Sequence, residues 1–336
     1  MRRAPWVVRM PTWLGDTIMA VPTVRALGRS VPRLVLWGPA SHGLLLQATG
    51  VHAELLPYSR RRGPLGLLDL RAAMSQLAAM RPTGIVILPN AYEPALIARL
   101  ARVRQRIGYA TQLRGGLLTE PLPIPDPLGA VHESRRYARL LEPTPAQAPL
   151  RDDWRLAAPQ GATRRAAELV GTDRPLLAIA PGCANGPAKR WPAEHYGRLV
   201  GHAAQRWGAV PVLVGGPQDA RATAAVAAAS PTACVDLAGK TDILDLAAIL
   251  ATSRAVIAND TGAAHLAGAL GKKTLVLFGP TDPRRTKPLG PHVRVASVAA
   301  FCQPCLSARC PLDHRCLTGL TPELALGMLE PLWHSQ

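Results

Sequence analysis

Short apolar runs alternate with longer segments of helical periodicity along most of this 336-residue chain. Such alternation is typical of βαβ units and parallel sheets, so the pattern predicts an α/β fold. The predicted strands are Trp6–Met10, Leu34–Trp37, Ala53–Leu56, Ile85–Leu88, Arg106–Tyr109, Leu176–Ala180, Val210–Val214, Ala255–Ala258 and Thr274–Phe278. The predicted helices include Thr17–Arg29, Ala193–Trp207 and Asp242–Ala251.

The same scheme appears twice, which predicts two domains, as does a length well above the roughly 100–200 residues of one domain. The proline-rich stretch Glu142–Pro149 suits an extended linker, because proline cannot continue a helix. We therefore place one domain at 1–150, a second at 151–320, and a terminal helix at 321–336, where Thr321 is a good N-cap and Pro322 a good first residue. Two such domains facing each other are expected to enclose a cleft.

Ligands of open α/β sheets bind at the carboxyl ends of the strands, so the loops that follow strands carry the candidate chemistry. After the first predicted strand, Pro11–Asp16 delivers the carboxylate of Asp16 to the start of a helix. An ordinary N-cap is the alternative role for Asp16. After Val210–Val214, Asp219 is a candidate for the hydroxyls of a ribose, or equally for capping its own loop.

Asn259–Gly262 opens a helix whose free N–H groups and positive dipole end favour phosphate. It supplies Asp260, Thr261 and Gly262, and His265 falls one turn further along. Taken alone, the motif also fits a capped helix with a packed histidine. Together with Lys189, from the separate loop Pro181–Pro192, it favours a diphosphate site.

Three other motifs do not fit their context. Gly268–Thr274 lacks the phosphate-loop spacing and precedes a strand. A zinc-deaminase pattern fails because its histidine and cysteines lie far apart and Phe301 stands where proline is required. Because no G-x-G-x-x-G follows the first strand, a dinucleotide-dependent dehydrogenase is disfavoured.

Four of the six cysteines are closely spaced, at Cys302, Cys305, Cys310 and Cys316, with His314 nearby. Four thiolates can hold a structural zinc, although this spacing is not the usual paired C-x2-C arrangement. Reduced, packed cysteines are the alternative. A disulfide framework is not expected, because no signal peptide or membrane-spanning run is apparent and the chain should be cytoplasmic.

The chain is strongly basic, with a formal net charge of +17, and residues 1–158 carry +11 of it. Arg60, Arg61 and Arg62 are consecutive, and further arginines follow at 99, 102, 104, 106 and 114. This pattern fits a solvated surface or a docking face for phosphorylated or carboxylated material. Nucleic acid is a third candidate. It is disfavoured because the arginines show no pattern of aromatic stacking residues, the chain has only two Phe, and no recognised binding motif is present.

Several strand-end motifs together resemble the bacterial lipopolysaccharide heptosyltransferases, most closely heptosyltransferase II. The matching stretches are Pro11–Met19, Pro181–Pro192, Asn259–His265, Gly279–Thr281 and the Cys302–Cys316 loop. They occur in the family's order and span nearly the whole chain. The resemblance implies a GT-B architecture of two Rossmann-like domains, an acceptor-binding one before residue 150 and an ADP-heptose-binding one after it.

The resemblance also assigns roles to residues. Asp16 would be the general base of an inverting transfer, Lys189 would grip the diphosphate, and Asp260, Thr261, Gly262 and His265 would form the donor motif. Asp219 aligns less securely with a family acidic residue.

The implied partners are ADP-heptose and an anionic inner-core glycolipid, with Arg60, Arg61 and Arg62 as candidate acceptor ligands. The implied location is the cytoplasmic face of the inner membrane, peripherally attached. No cofactor is required and no nucleic acid is expected. Heptosyltransferase I or III is the alternative within the family.

Overall fold

A computed structural model describes residues 3–61, 63, 65–125, 131–150, 152–184 and 186–335. The chain divides into two compact units, Met1–Trp154 and Arg155–Gln336. Over the described residues, no helix combines the length and the apolar character needed to cross a bilayer.

The first unit is built on a parallel sheet with helices in the connections. Its strands are β1 (Trp6–Arg9), β2 (Leu34–Gly38), β3 (Glu54–Pro57), β4 (Gly84–Ile87), β5 (Gln105–Tyr109) and β6 (Glu120–Leu122). Its helices are α1 (Leu14–Met19), α2 (Val21–Ser30), α3 (Ala40–Ala48), α4 (Leu65–Met80), α5 (Tyr92–Leu100) and α6 (Glu133–Arg139). The strand order is β3-β2-β1-β4-β5-β6, so the direction in which successive strands are added to the sheet reverses between β1 and β4.

The second unit repeats this plan. Its strands are β7 (Leu176–Ala180), β8 (Val210–Leu213), β9 (Val235–Asp236), β10 (Ala255–Asn259), β11 (Thr274–Leu277) and β12 (Val293–Ala296). Its helices are α7 (Ala162–Val170), α8 (Ala193–Trp207), α9 (Ala220–Ala229), α10 (Ile243–Thr252), α11 (Gly262–Ala269), α12 (Pro283–Thr286), α13 (Arg315–Thr318) and α14 (Pro322–His334). The order β12-β11-β10-β7-β8-β9 places the reversal between β7 and β10.

The central strands are buried along their whole length, as their apolar sequences require. β1 and β4 in the first sheet, and β7 and β10 in the second, expose none of their residues. Strands covered on both faces read as continuous apolar runs, because helices pack on each side of a parallel sheet. The prediction of an α/β fold with parallel sheets is thus confirmed, and all nine predicted strands are present to within one residue at each end.

Some predicted elements were wrong or incomplete. The helix predicted at Thr17–Arg29 is two helices, α1 and α2, which meet at Ala20, and Pro22 lies in the first turn of the second helix. Strands β6, β9 and β12 were not predicted. Each is only two to four residues long, and β6 and β9 form edges of their sheets. Edge strands are partly exposed, so they lack the apolar run that marks a buried strand.

The arginine-rich stretch is not a uniform docking face. Arg114 is fully buried and donates hydrogen bonds to the backbone carbonyls of Tyr109, Pro89 and Ala91. Burial lowers the pKa of its guanidinium to about 10. Arg114 therefore ties together the loops that follow β4 and β5, and it contributes to the core of the first unit.

Candidate functional site

Three strand-end turns of the second sheet meet at the carboxylate of Asp260. The Nζ atom of Lys189 lies 2.7 Å from Oδ2 of Asp260, and Oγ1 of Thr281 donates to the same oxygen at 2.8 Å. On the other side, Nε2 of His265 lies 3.8 Å from Oδ1. The structure therefore brings Lys189 to Asp260 and His265, which the sequence had placed on a separate segment from this lysine.

The sheet order explains why these residues converge. Asp260 follows β10, the loop bearing Lys189 follows β7, and Thr281 comes after β11, so the three turns leave adjacent strands. The order in which strands are added to the sheet reverses between β7 and β10, and connections that leave towards opposite edges of the sheet open a crevice at that point. This is where doubly wound sheets bind their ligands.

The carboxylate of Asp260 is ionised although it is buried. Burial by itself would raise its pKa, but the nearby His265 ring and the Lys189 ammonium outweigh this effect and hold the pKa at about 2. Both side chains of the ion pair are largely shielded from water: the exposed fraction is 17% for the Lys189 side chain and 5% for the Asp260 side chain. Removing either residue would therefore leave the other with an uncompensated buried charge.

Asn259, the residue before Asp260, fixes the loop that carries Lys189. Its buried Nδ2 donates to the carbonyl of Pro181 at 2.7 Å. Its Oδ1 accepts from the backbone N–H of Trp191 at 3.2 Å and from the hydroxyl of Tyr196 at 3.0 Å. Because Pro181 and Trp191 stand at the two ends of the loop, one amide side chain holds both ends against β10.

The start of α11 contains polar atoms that no described residue satisfies. Thr261 is the N-cap residue in an extended conformation, but its side chain makes no capping hydrogen bond. Within the described residues, the buried atoms Oγ1 of Thr261 and Nδ1 of His265 have no hydrogen-bond partner. Buried polar atoms are almost always paired, so two such atoms at the start of one helix indicate a site that takes a polar ligand.

Asp219 lies beside the same loop from a different strand end. It is 8% exposed, and its Oδ2 accepts from the backbone N–H of Gly216 at 3.1 Å, which is the loop-capping role. Its Oδ1 has no hydrogen-bond partner among the described residues. The side chain is packed so closely on Gly182 that a Cβ there would lie 2.2 Å from Oδ1.

Asp16 belongs to the first unit and sits in the first turn of α1, directly after the β1 loop. It is partly exposed, and it lies near Tyr137 of α6, whose pKa is raised well above its usual value by burial and, secondarily, by the charge of Asp16. The next residue, Thr17, makes a 3.0 Å hydrogen bond with Nδ1 of His42. Burial lowers the pKa of His42.

The arginine run is partly neutralised by carboxylates. Arg60 forms an ion pair with Glu93, and Arg61 forms one with Asp69 at 2.7 Å. Arg62 lies outside the described residues. The two described arginines thus already have acidic partners within their own unit.

Comparison with known proteins shows the family. The model of glycosyltransferase family 9 (heptosyltransferase) matches residues 71–315. The chain belongs to this family. It is 31% identical over 300 residues to lipooligosaccharide heptosyltransferase 2 of Haemophilus ducreyi, covering 83% of this chain and 84% of that one. It is 28% identical over 298 residues to lipopolysaccharide heptosyltransferase 2 of Escherichia coli, covering 85% of each.

The solved structures agree. The ADP-heptose LPS heptosyltransferase II of E. coli superimposes with a TM-score of 0.83 at 26% identity, covering 98% of both chains. The family 9 glycosyltransferase described here therefore has the GT-B fold that its strand-end motifs implied. The expected resemblance, fold and enzyme class are confirmed.

Sequence reasoning missed some residues of this glycosyltransferase. Thr281 was noted in a motif but not proposed as a site residue, although its position after β11 was a usable signal. Asn259 was likewise only part of a motif. Tyr137 and His42 approach the Asp16 region from α6 and α3, and no local pattern marks them.

The four clustered cysteines of this glycosyltransferase line one small cavity together with His314. Across the described residues, however, no three His, Cys, Asp or Glu side chains are grouped as metal ligands. The Nε2 atom of His314 is engaged by the carbonyl of Ala188 at 2.6 Å. The structural zinc therefore stays a prediction from the sequence alone.

Replacing Asp260 by Asn should lower stability in a pH-dependent way. Because folding depresses the pKa of Asp260 from 3.8 to about 2, its ionised form adds on the order of 2 kcal/mol, present above pH 4 and lost as the pH falls towards 2. Urea unfolding at pH 6 and pH 3 should show a stability gap between wild type and Asp260→Asn that narrows at pH 3. An exposed control, Asp173→Asn, should show little gap at either pH; a pH-independent gap for Asp260→Asn would contradict the assignment.

Proposed function

We propose that this glycosyltransferase moves heptose from ADP-heptose to a sugar hydroxyl of the lipopolysaccharide inner core. The observation that carries the proposal is the Lys189–Asp260–Thr281 cluster at the reversal point of the second sheet. It lies beside polar atoms at the start of α11 that have no partner within the described part of the chain. The names of the relatives, heptosyltransferase 2 in two organisms, support this substrate class.

The donor's diphosphate would bind at the start of α11. The free N–H groups and positive dipole end of a helix attract phosphate, and Thr261 and Gly262 occupy this position. Lys189 supports the assignment because an ammonium has three donors, and Asp260 uses one of them. His265 Nδ1 and Thr261 Oγ1 would complete their hydrogen bonds with the ligand.

Asp219 would accept a hydrogen bond from the donor's ribose. Its Oδ2 is occupied by the Gly216 N–H, which holds the carboxylate in place, while Oδ1 is buried with no partner in the described residues. A hydroxyl is a suitable donor for such an oxygen, since an ionised carboxylate can only accept.

The reaction would be a single inverting displacement. The acceptor hydroxyl attacks the anomeric carbon of heptose, its proton passes to the Asp16 carboxylate, and the bond from that carbon to the diphosphate breaks, so that ADP leaves with the bonding electrons. General-base help of this kind is typically worth about 10²–10⁴-fold. Lys189 and the α11 N-terminus would stabilise the charge gathering on ADP. We propose no cofactor for this step.

The acceptor would be an anionic glycolipid, here a heptosylated inner core. The positive charge is concentrated in the first 158 residues, at +11, which suits phosphate and carboxylate groups. We keep Arg60, Arg61 and Arg62 as candidate ligands; Arg60 and Arg61 would have to share or exchange their partners Glu93 and Asp69. A glycolipid acceptor would place the enzyme peripherally at the cytoplasmic face of the inner membrane.

The direct test is transfer to a defined acceptor. Purified protein incubated with ADP-heptose and monoheptosylated inner-core lipid A should add one heptose, detected by mass. Parallel reactions with unheptosylated and diheptosylated acceptors identify a first or third heptosyltransferase. Absence of transfer to all three would overturn the proposed function.

Asp16→Asn should fold normally and lose heptosyl transfer by at least about 100-fold, because the amide cannot take the hydroxyl proton. Initial rates at saturating substrates measure the loss, and circular dichroism checks folding. Asp173→Asn, at an exposed aspartate of the second unit, serves as the matched control. Turnover of Asp16→Asn within a few-fold of wild type would remove Asp16 from the mechanism.

Lys189→Ala should raise the KM for the donor about tenfold or more, since a hydrogen bond to a charged group is worth roughly 1.5–3 kcal/mol. Steady-state kinetics with each substrate varied in turn measure both KM values. The control is Lys240→Ala, which removes an exposed lysine of the same unit and should leave the KM for the donor unchanged. If instead the KM for the acceptor rises alone, Lys189 acts at a different site.

A further inference from the structure

The segment between β12 and α13, residues 297–314, contains three of the clustered cysteines and is named here the cysteine loop. It packs on two turns that deliver side chains to Asp260. One is the Pro187–Lys189 turn, which carries Lys189, and the other is Gly279–Thr281. The proposed function gives this loop no role, although it is the shared support of both turns.

Hydrogen bonds to the cysteine loop hold the peptide groups on both sides of Ala188. The N–H of Ala188 donates to the carbonyl of Ala308 at 3.1 Å, and its carbonyl accepts from Nε2 of His314 at 2.6 Å. Because a carbonyl can only accept, Nε2 of His314 must carry the hydrogen. Ala188 is buried and immediately precedes Lys189, so these two bonds set where the lysine side chain starts.

The second turn is held in a similar way. The N–H of Leu306 donates to the carbonyl of Pro280 at 2.9 Å, and the side-chain amide of Gln303 donates to the carbonyl of Gly279. Thr281, the following residue, then reaches Oδ2 of Asp260 at 2.8 Å. Lys189 and Thr281 therefore approach one carboxylate oxygen from turns bonded to the same loop.

The contact of the cysteine loop with the first turn is close enough to require glycine. Gly186 has a φ of +104°, and a Cβ there would lie 2.3 Å from the carbonyl oxygen of Ala308. Both the backbone conformation and the lack of space exclude a side chain. The loop is thus pressed directly onto the backbone that leads into Lys189.

We propose that His314 is a positioning residue for Lys189, acting through the carbonyl of Ala188. The inference rests on the proposed donor-binding role of Lys189. Lysine is flexible, with a long four-carbon stem, so the direction of its ammonium depends on how firmly its backbone is held. Displacing such a group by about 1 Å can cost on the order of 100-fold in rate. His314 itself needs no contact with substrate.

The test compares His314→Ala, which removes the bond to Ala188, with His314→Gln, whose amide nitrogen can replace Nε2 as a donor. His314→Ala should raise the KM for the donor about five- to tenfold with the KM for the acceptor within twofold, and Gln should restore most of the loss. Asp313→Asn, in the exposed Asp313–Arg315 pair one residue away, is the matched control. An equal rise in both KM values, or no rise, would overturn the proposal.

A double-mutant cycle separates positioning from general damage. If His314 acts through Lys189, His314→Ala should change the KM for the donor less than twofold once Lys189 is already Ala. Full additivity would show that His314 acts by another route and would overturn the proposal.

Hydrogen exchange supplies a readout that needs no substrate. The amide of Ala188, bonded to Ala308 in the wild type, should exchange at least tenfold faster in His314→Ala and near the wild-type rate in His314→Gln and Asp313→Asn. Gly186→Ala, which pushes Ala308 away from the other side, should also speed this exchange. Unchanged protection in His314→Ala refutes the inference, whereas faster exchange without any heptosyl transfer by the wild type would refute only the proposed function.

Discussion

The buried ion pair of Lys189 and Asp260 is the interaction on which the second unit's site depends. A carboxylate that is 5% exposed cannot remain ionised in an apolar interior unless a cation and hydrogen-bond donors are supplied. Asp260 obtains them from Lys189, Thr281 and His265, which lie on three different segments. The requirement to satisfy one charge therefore links the turns after β7, β10 and β11.

The position of the Lys189 loop is set first by its contacts with strand β10. Asn259 ends β10 and holds both ends of the loop that carries Lys189, so the strand register sets the loop position. The cysteine loop then supports the tip of that loop at Ala188 and the neighbouring turn at Pro280. The backbone of Lys189 is thus held by contacts on two sides, and its ammonium pairs with Asp260.

Much of this could be predicted from the sequence, because local rules apply to it. Buried parallel strands appear as apolar runs, and the strand-end rule located Asp16, Lys189, Asp219 and Asp260 without any knowledge of tertiary contacts. What could not be predicted depends on partners distant in the chain. The edge strand β9 is only two residues long and leaves no periodic signal. The support of Ala188 by His314 joins residues 126 positions apart, and no local pattern marks it.

The charge of the chain illustrates the same limit in physical terms. The composition gives the number of arginines but does not show which of them are exposed to water. In the first unit, for example, Arg114 and Arg9 are both buried. Arg9 lies over the rings of Trp37 and Tyr58, at 5.1 Å and 5.2 Å from their centroids. Buried arginines of this kind contribute to the long-range electrostatic field of the protein, but they cannot contact a ligand directly. The field that would attract an anionic ligand and the residues that would bind it are therefore separate properties, and only the first follows from the net charge of +17.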